Sequence, residues 1–341
     1  MPSHGPTTIP SVDDMTTQLP DTVHVVSHTR YGPPADLGQR MATMPAPADD
    51  QVVLRVRAAG INRGDALAVE GLPYAARLSY GLPRPKRPVP GTDVAGTVVA
   101  VGPGVTGWRH GDAVVGWADG AFASYAAASQ ASLLAKPDAV SFEEAAATPS
   151  AGVTALQALR AGGIDTARRV LVIGASGGVG SFAVQLAKAY RTEVTAVCST
   201  RNVELVRSFG ADHVVDYLTQ DLTTCTGHDL VVDLVGHLPL LHARRLATPG
   251  GRYVVVGGGT ARSVTGMRRF AAATLLSPFV SQRLRPLFAT PKRTDLATVL
   301  SLLASGQVHS AIEAAYALRD AADAIEFVGL GKARGRVVLV P

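Results

Sequence analysis

An apolar, β-branched run that breaks into glycines constrains this chain more than any other part: residues 170–180 read VLVIGASGGVG, followed by the apolar helix pattern SFAVQLAKAY. A buried parallel strand ending in a tight turn accounts for that pattern. Glycines at 174, 177, 178 and 180 let the backbone approach phosphates closely. The start of the next helix offers unpaired N–H groups and the positive end of its dipole. Ala175 takes the first glycine's place in the strict G-x-G-x-x-G frame, so the motif alone is a weak signal. The candidate cofactor contacts here are Gly174, Ser176, Gly177, Gly178, Val179 and Gly180. About twenty residues on, a second strand at 193–197 ends in Cys198-Ser199-Thr200-Arg201-Asn202, a stretch with no acid. An acid would accept from the ribose 2′-hydroxyl of NAD. Ser199, Thr200 and Arg201 instead offer donors and one positive charge for a 2′-phosphate, so NADPH is the expected cofactor.

The length of 341 residues fits two domains, and 47% hydrophobic with 17% charged residues describes a globular enzyme. The net charge of +5 rests mostly on scattered arginine. Without a Lys/Arg block interleaved with aromatics, nucleic-acid binding is not expected. The densest cluster, Arg84-Pro85-Lys86-Arg87, reads as a solvated loop. Two cysteines are too few for a disulfide framework or a four-cysteine zinc site, and Cys198 at a strand end reads as a buried small hydrophobe. No segment approaches about 18 uncharged apolar residues, so no membrane span is expected. The first twenty residues lack the basic and apolar regions of a signal peptide and read as a flexible tail, with a cytoplasmic location expected.

Residues 23–132 show short β-branched runs broken by Gly and Pro (VHVVSH, QVVLRVRAAGIN, GTDVAGTVVAVG, DAVVGW), which predicts a mostly antiparallel, barrel-like domain. From about residue 149, strands alternate with helices, as a parallel, doubly wound sheet requires. After Gly259 the sequence reads as a long, largely helical segment that includes FAAATLLSPFVSQRL. A final helix and strand, DAADAIEFVGLGKARGRVVLV, return to complete the first domain. The expected fold class is α/β, with a tail at 1–21, a β domain at 22–147 and 293–341, and a dinucleotide-binding domain at 148–292.

AAGINRGD, PVPGTDVAGTVVAVGPGVTGWRHGDAVVG, AGVTALQAL, VLVIGASGGVG, FGADHVVDY and ARGRVVLV occur in this order, and together they span nearly the whole chain after residue 22. The chain thereby resembles the zinc-independent, quinone oxidoreductase-like branch of the medium-chain dehydrogenase/reductase superfamily. The resemblance implies a GroES-like β-barrel domain, a Rossmann domain, and a cleft between them for NADPH and substrate. Zinc alcohol dehydrogenases of the superfamily carry a Cys where this chain has Asn62, Gly-His-Glu where it has Gly91-Thr92-Asp93, and a Cys near Ala151. None of these positions offers a thiolate or imidazole here, and the four-cysteine lobe is missing, so no metal is expected. Without a Lewis acid, alkoxide formation is hard, whereas hydride delivery to a polarised carbon is easier.

Asn62 and Asp65 match the family's N-x-x-D element. Asn62 resembles the residue lining the nicotinamide pocket and could donate to a substrate carbonyl; a turn residue bonded to its own backbone is the alternative. Asp65 reads as ordering that loop. Tyr74 falls near the tyrosine proposed as proton donor in enoyl-thioester reductases, with a lid or a packing contact as alternatives. Tyr80 and Tyr125 are weaker candidates. Thr154 resembles the threonine facing the nicotinamide, against a helix-start cap. Tyr217 resembles a tyrosine beside the adenosine phosphate, against an edge-strand aromatic. Val235, Gly236, Val256, Gly257 and Gly258 follow strand ends and would contribute backbone contacts. Lys188 lies a helix away from the phosphates and reads as surface.

The resulting expectation is an NADPH-dependent, metal-free reductase acting on a quinone or an α,β-unsaturated carbonyl compound. A zinc-free alcohol or carbonyl reductase, or a non-redox NADPH-binding scaffold, are the alternatives. Residues 72–90 and 262–288, rich in apolar residues and arginine, would shape a pocket for an apolar small molecule. The resemblance also implies a homodimer.

Overall fold

Short apolar strands buried on both faces organise the second half of the chain, and alternating strands the first. The computed structural model describes residues 19–257 and 267–341. Residues 1–18 of the expected tail, and Gly258 among the expected contacts, lie outside them. Strands β1 (Thr22–Ser27) and β2 (Gly38–Thr43) form an antiparallel pair. Next come β3 (Gln51–Ile61), β4 (Asp93–Val101), β5 (Ala113–Trp117), β6 (Tyr125–Ser129) and β7 (Leu133–Ala135). The second group is β8 (Arg169–Ile173), β9 (Glu193–Cys198), β10 (His213–Asp216), β11 (His228–Asp233), β12 (Ala247–Val255) and β13 (Arg283–Pro286). Last are β14 (Ile312–Ala317) and β15 (Arg336–Val340). The helices are α1 (Arg63–Glu70), α2 (Arg77–Tyr80), α3 (Phe142–Ala146), α4 (Pro149–Ala161) and α5 (Gly178–Ala189). They continue with α6 (Val203–Ser208), α7 (Leu240–Ala243), α8 (Arg268–Leu276), α9 (Arg293–Ala304) and α10 (Ala321–Gly329).

The first sheet runs β14-β15-β3-β4-β5-β7, with β6 also on β3. Its C-terminal strand β15 pairs antiparallel with β3, Val337 opposite Ile61, so the end of the chain closes the sheet that its beginning opened. Val52, Leu54, Val94, Val98, Val114, Phe122 and Leu339 fill its core.

The second sheet runs β10-β9-β8-β11-β12-β13 and is parallel throughout, the doubly wound order in which the chain reverses direction beside its first strand. Alternate residues of each strand serve opposite faces. Val170, Val172, Val194 and Val232 pack under α4 and α5 against Leu156, Leu159, Phe182 and Leu186. Leu171, Val197, Val231 and Tyr253 face Leu240, Leu246 and Ala273. Both faces are covered, so the strands read as continuous apolar runs.

One expectation is corrected. The segment after Gly259 is not helical to its end: α8 stops at Leu276, and Arg283–Pro286 forms the sixth strand, pairing parallel with β12. Two arginines in the four residues RLRP hide this edge strand, because only Leu284 is buried. No helix among the described residues is long and apolar enough to cross a membrane.

Candidate active site

β8 delivers the chain to the glycine turn at the C-terminal edge of the parallel sheet. Gly174 has φ of +89°, a left-handed conformation that favours glycine. A Cβ on Gly180 would stand 2.1 Å from the Gly174 carbonyl oxygen, so the first turn of α5 packs directly on the strand end. At Gly177 a Cβ would meet only the Gly174 oxygen, at 3.5 Å, so the protein's own packing does not require glycine there. That side of the turn is open. The first N–H groups of α5, from Gly178, Val179 and Gly180, are those that a helix start leaves unpaired.

Sequence reasoning missed two residues at this turn. Asn202 is buried, donates to Ser176 Oγ at 2.9 Å and Ser199 Oγ at 3.2 Å, and so ties the glycine turn to the end of β9; its Oδ1 has no partner. Arg336, the first residue of β15, lies with Cδ and Nη1 3.0 Å from where a Gly178 Cβ would be. Its side chain is 5% exposed, its Nε donates to the Ala147 carbonyl at 2.7 Å, and its Nη2 makes no hydrogen bond. A buried cation thus points at the helix start. Its distance in sequence from the glycine turn gave no signal.

The expected 2′-phosphate site is smaller than the sequence suggests. The stretch 198–202 has no acid, but parallel pairing sets Asp216 of β10 opposite Cys198. Asp216 takes the Thr200 hydroxyl at 2.6 Å, and that bond holds its carboxyl below the ordinary range. The Thr200 donor is therefore committed, leaving Ser199 and Arg201. Arg201 is exposed, and its Nη2 donates to the Lys332 carbonyl at 3.2 Å. Tyr217 follows β10, an edge strand, with its ring exposed. Burial pushes the Cys198 thiol up to about 11, so it stays protonated.

The ends of β11 and β12 meet around Asp233. Its carboxylate accepts from the Val235 and Gly236 N–H groups at 3.1 and 2.8 Å and from Tyr253 Oη at 2.7 Å. Arg269 of α8 donates to the same carboxylate at 2.5 Å. The Asp233 carbonyl takes the N–H groups of Val256 and Gly257. This brings Val235, Gly236, Val256 and Gly257 to one place beside the glycine turn.

Asn62 is the N-cap of α1, and its backbone N–H donates to Asp65 Oδ2 at 2.7 Å. Its side chain turns the other way: Nδ2 donates to Asp93 Oδ2 at 3.0 Å. Asp93 is fully buried on β4 and also accepts from the Ser150 backbone N–H at 3.0 Å and from Ser150 Oγ at 2.5 Å. Arg336 Nη2 faces Asp93 Oδ2 at 3.6 Å. Burial pushes Asp65 up to about 7, against the bond from the Asn62 N–H. Burial likewise raises Asp93, opposed by Arg336 and by the Ser150 and Asn62 donors, and lowers Arg336, opposed by both carboxyls. Two carboxyls and one guanidinium share a dry site, a composition that favours retaining one proton among them.

Ser150 and Thr154, on successive turns of α4, line a cavity of about 70 Å³ with Trp117, Val153, Ala289, Thr290 and Pro291. Thr154 lies inside the helix, not at its cap, which is Thr148. Tyr74 stands apart from this cavity, half exposed, with the Arg77 guanidinium 5.1 Å from its ring centre. Tyr80 and Tyr125 do not line it either. A larger concavity, about 310 Å³, lies along α5 beside Lys188, Phe209 and His309. Lys188 there pairs with Asp212 at 2.7 Å and Gln185 donates to the His309 carbonyl at 3.0 Å, and none of the sequence-predicted site residues lines it.

Residues 48–138 match the family described as alcohol dehydrogenase GroES-like domain, and residues 209–339 the family described as zinc-binding dehydrogenase. A quinone oxidoreductase homologue of chloroplasts from Spinacia oleracea is 33% identical across 94% of this chain and 98% of its own length. The chain belongs to the quinone oxidoreductase-like branch of the medium-chain dehydrogenase/reductase superfamily. It is an oxidoreductase of a family that works with nicotinamide cofactors. A 2-methylene-furan-3-one reductase from Solanum lycopersicum is 31% identical, over 95% of this chain and 80% of that protein. The solved structure of the quinone oxidoreductase from Coxiella burnetii superposes with a TM-score of 0.82 at 26% identity, covering 94% of this chain and 99% of that one. Despite the second family's description, no group of three or more His, Cys, Asp or Glu among the described residues is arranged to hold a metal ion.

Proposed function

We propose that this chain is an NADPH-dependent reductase that delivers hydride, without a metal ion, to a quinone or to the C=C bond of an α,β-unsaturated carbonyl compound. The observation that carries the reading is the Asn62–Asp93–Ser150 cluster. Its buried carboxylate is occupied by three protein donors, which leaves a small polar-edged cavity in place of a Lewis-acid site. A carbonyl oxygen that gains charge needs a donor, and the hydroxyl groups of Ser150 and Thr154 edge that cavity.

The residues fit the cofactor. The α5 start, the open face at Gly177 and the Arg336 guanidinium would hold the pyrophosphate; Ser199 and Arg201 would meet the 2′-phosphate; Tyr217 would border the adenosine. Val235, Val256, Gly257 and Thr154 would flank the nicotinamide half. When bound, the reduced nicotinamide supplies hydride. The relatives named for quinone and methylene-ketone reduction favour a conjugated acceptor, and the apolar walls from Trp117, Val153, Ala289 and Pro291 favour an apolar one. We read the chain as a β domain at 22–147 and 293–341 flanking a cofactor domain at 148–292, and as a homodimer.

The experiment is isotopic. With NADPH deuterated at C4 and an enone such as a methylene-furanone, one deuterium is expected at the β carbon of the saturated ketone. Deuterium on the carbinol carbon, or none transferred, would overturn the reading.

A further inference from the structure

The Ser150–Asp93 contact suggests a proton path that no feature of the sequence announced. Asp93 Oδ2 receives both N–H donors, from Asn62 and Ser150, and faces Arg336. Asp93 Oδ1 meets only Ser150 Oγ, at 2.5 Å. Ser150 in turn lines the small cavity with Thr154 and Trp117. We propose that Ser150 is the catalytic donor to the substrate's carbonyl oxygen and that Asp93 is the residue that positions and reprotonates it. This rests on the reductase reading above.

When Asp93 is ionised, the Ser150 hydroxyl points at Oδ1 and turns lone pairs to the cavity. A proton on Oδ1 reverses the bond: Asp93 donates to Ser150 Oγ and frees the serine O–H for the cavity. As the substrate's β carbon takes hydride, its π electrons move to the carbonyl oxygen. The Ser150 O–H bond breaks as its proton goes to that oxygen, and Ser150 Oγ takes the proton from Asp93, which becomes a carboxylate. The enol product then leaves and tautomerises in water, and water entering the emptied cavity gives a proton to Ser150 Oγ as the Ser150 hydroxyl passes its own proton back to Asp93 Oδ1. Asp65 of α1 and Arg336 of β15 are the charged groups around Asp93, and Tyr80 faces Asp65. One guanidinium against two carboxyls keeps one proton in the cluster, and the relay runs from the state in which that proton stands on Asp93 Oδ1 rather than on Asp65.

The test uses para-nitrophenol as an enolate mimic, since its phenolate alone absorbs visible light. A Trp108→Phe background leaves Trp117 as the only indole, inside the cavity wall. The full chain, with and without NADP⁺, is expected to quench Trp117 and bind the ligand as phenolate at a pH where the free phenol is mostly neutral. Ser150→Ala is expected to keep affinity within about threefold but lose the phenolate band, and Ser150→Thr to restore it. In turnover, Ser150→Ala is expected to lower kcat about 100-fold with KM little changed. Asp93→Asn is expected to flatten the alkaline fall of kcat. No binding, a neutral bound phenol, or the same phenolate band in Ser150→Ala would overturn the proposal. Undiminished NADPH oxidation by Ser150→Ala would overturn it while leaving the reductase reading intact. A Ser150-dependent phenolate site in a protein that reduces no acceptor would support the oxygen site and sink the reductase reading.

Discussion

Replacing Asp65 by Asn should change how the protein's stability depends on pH, because the buried carboxyl titrates at about 7 in the folded chain instead of 3.8. At about 1.4 kcal/mol per tenfold, that rise corresponds to about 4 kcal/mol. Its sign follows from proton binding. Between pH 4 and 7 the folded state holds a proton that the unfolded state has released, so the Asp65 contribution falls as pH rises and levels off above about 7. Asn cannot ionise, and its side-chain oxygen can still accept the Asn62 N–H. The neighbouring Asp93 charge contributes to the rise after burial does, and it need not be present at every pH, so about 4 kcal/mol is an upper value. Both tryptophans, Trp108 and Trp117, lie around the first sheet, so urea unfolding followed by their emission reports the unit that holds Asp65. The expected result is that Asp65→Asn gains stability over the wild type steadily from pH 4 to 7 and no further at pH 8. Parallel curves at all pH values would refute the burial argument.

Arg201→Glu should raise the NADPH Michaelis constant about 10- to 100-fold, the worth of one charge-assisted hydrogen bond, and change that for NADH little; steady-state kinetics with both cofactors checks it. Gly180→Ala should abolish cofactor binding and cost about 1–3 kcal/mol, because its Cβ would overlap the Gly174 oxygen; nucleotide fluorescence titration and thermal unfolding report the two losses. Phe182→Ala should cost about 3–5 kcal/mol in denaturant unfolding, since the ring is fully buried between α5 and the parallel sheet.

Local chemistry was the legible part of the sequence. The run into Gly174 and the β-branched strands β8, β9 and β11 announce a parallel sheet, because their packing partners lie on both faces and leave the middle of each strand almost wholly apolar. Features made by distant chain segments were not legible. Ser150 meets Asp93 across 57 positions, and Arg336 reaches the α5 start only because β15 returns to the first sheet. Asp216 escaped notice because it lies on the neighbouring strand, and register alone sets it beside Thr200. The arginines of β13 concealed an edge strand whose exposed positions carry charge, as edges commonly do.

The most direct test of the account is oxidation of NADPH and NADH by chelator-treated protein against a panel of quinones, enones and 2-enoyl thioesters. Turnover that survives chelation, prefers NADPH and requires a conjugated acceptor is the expected result. Turnover that disappears on chelation and returns with zinc, or reduction of simple ketones alone, would contradict it.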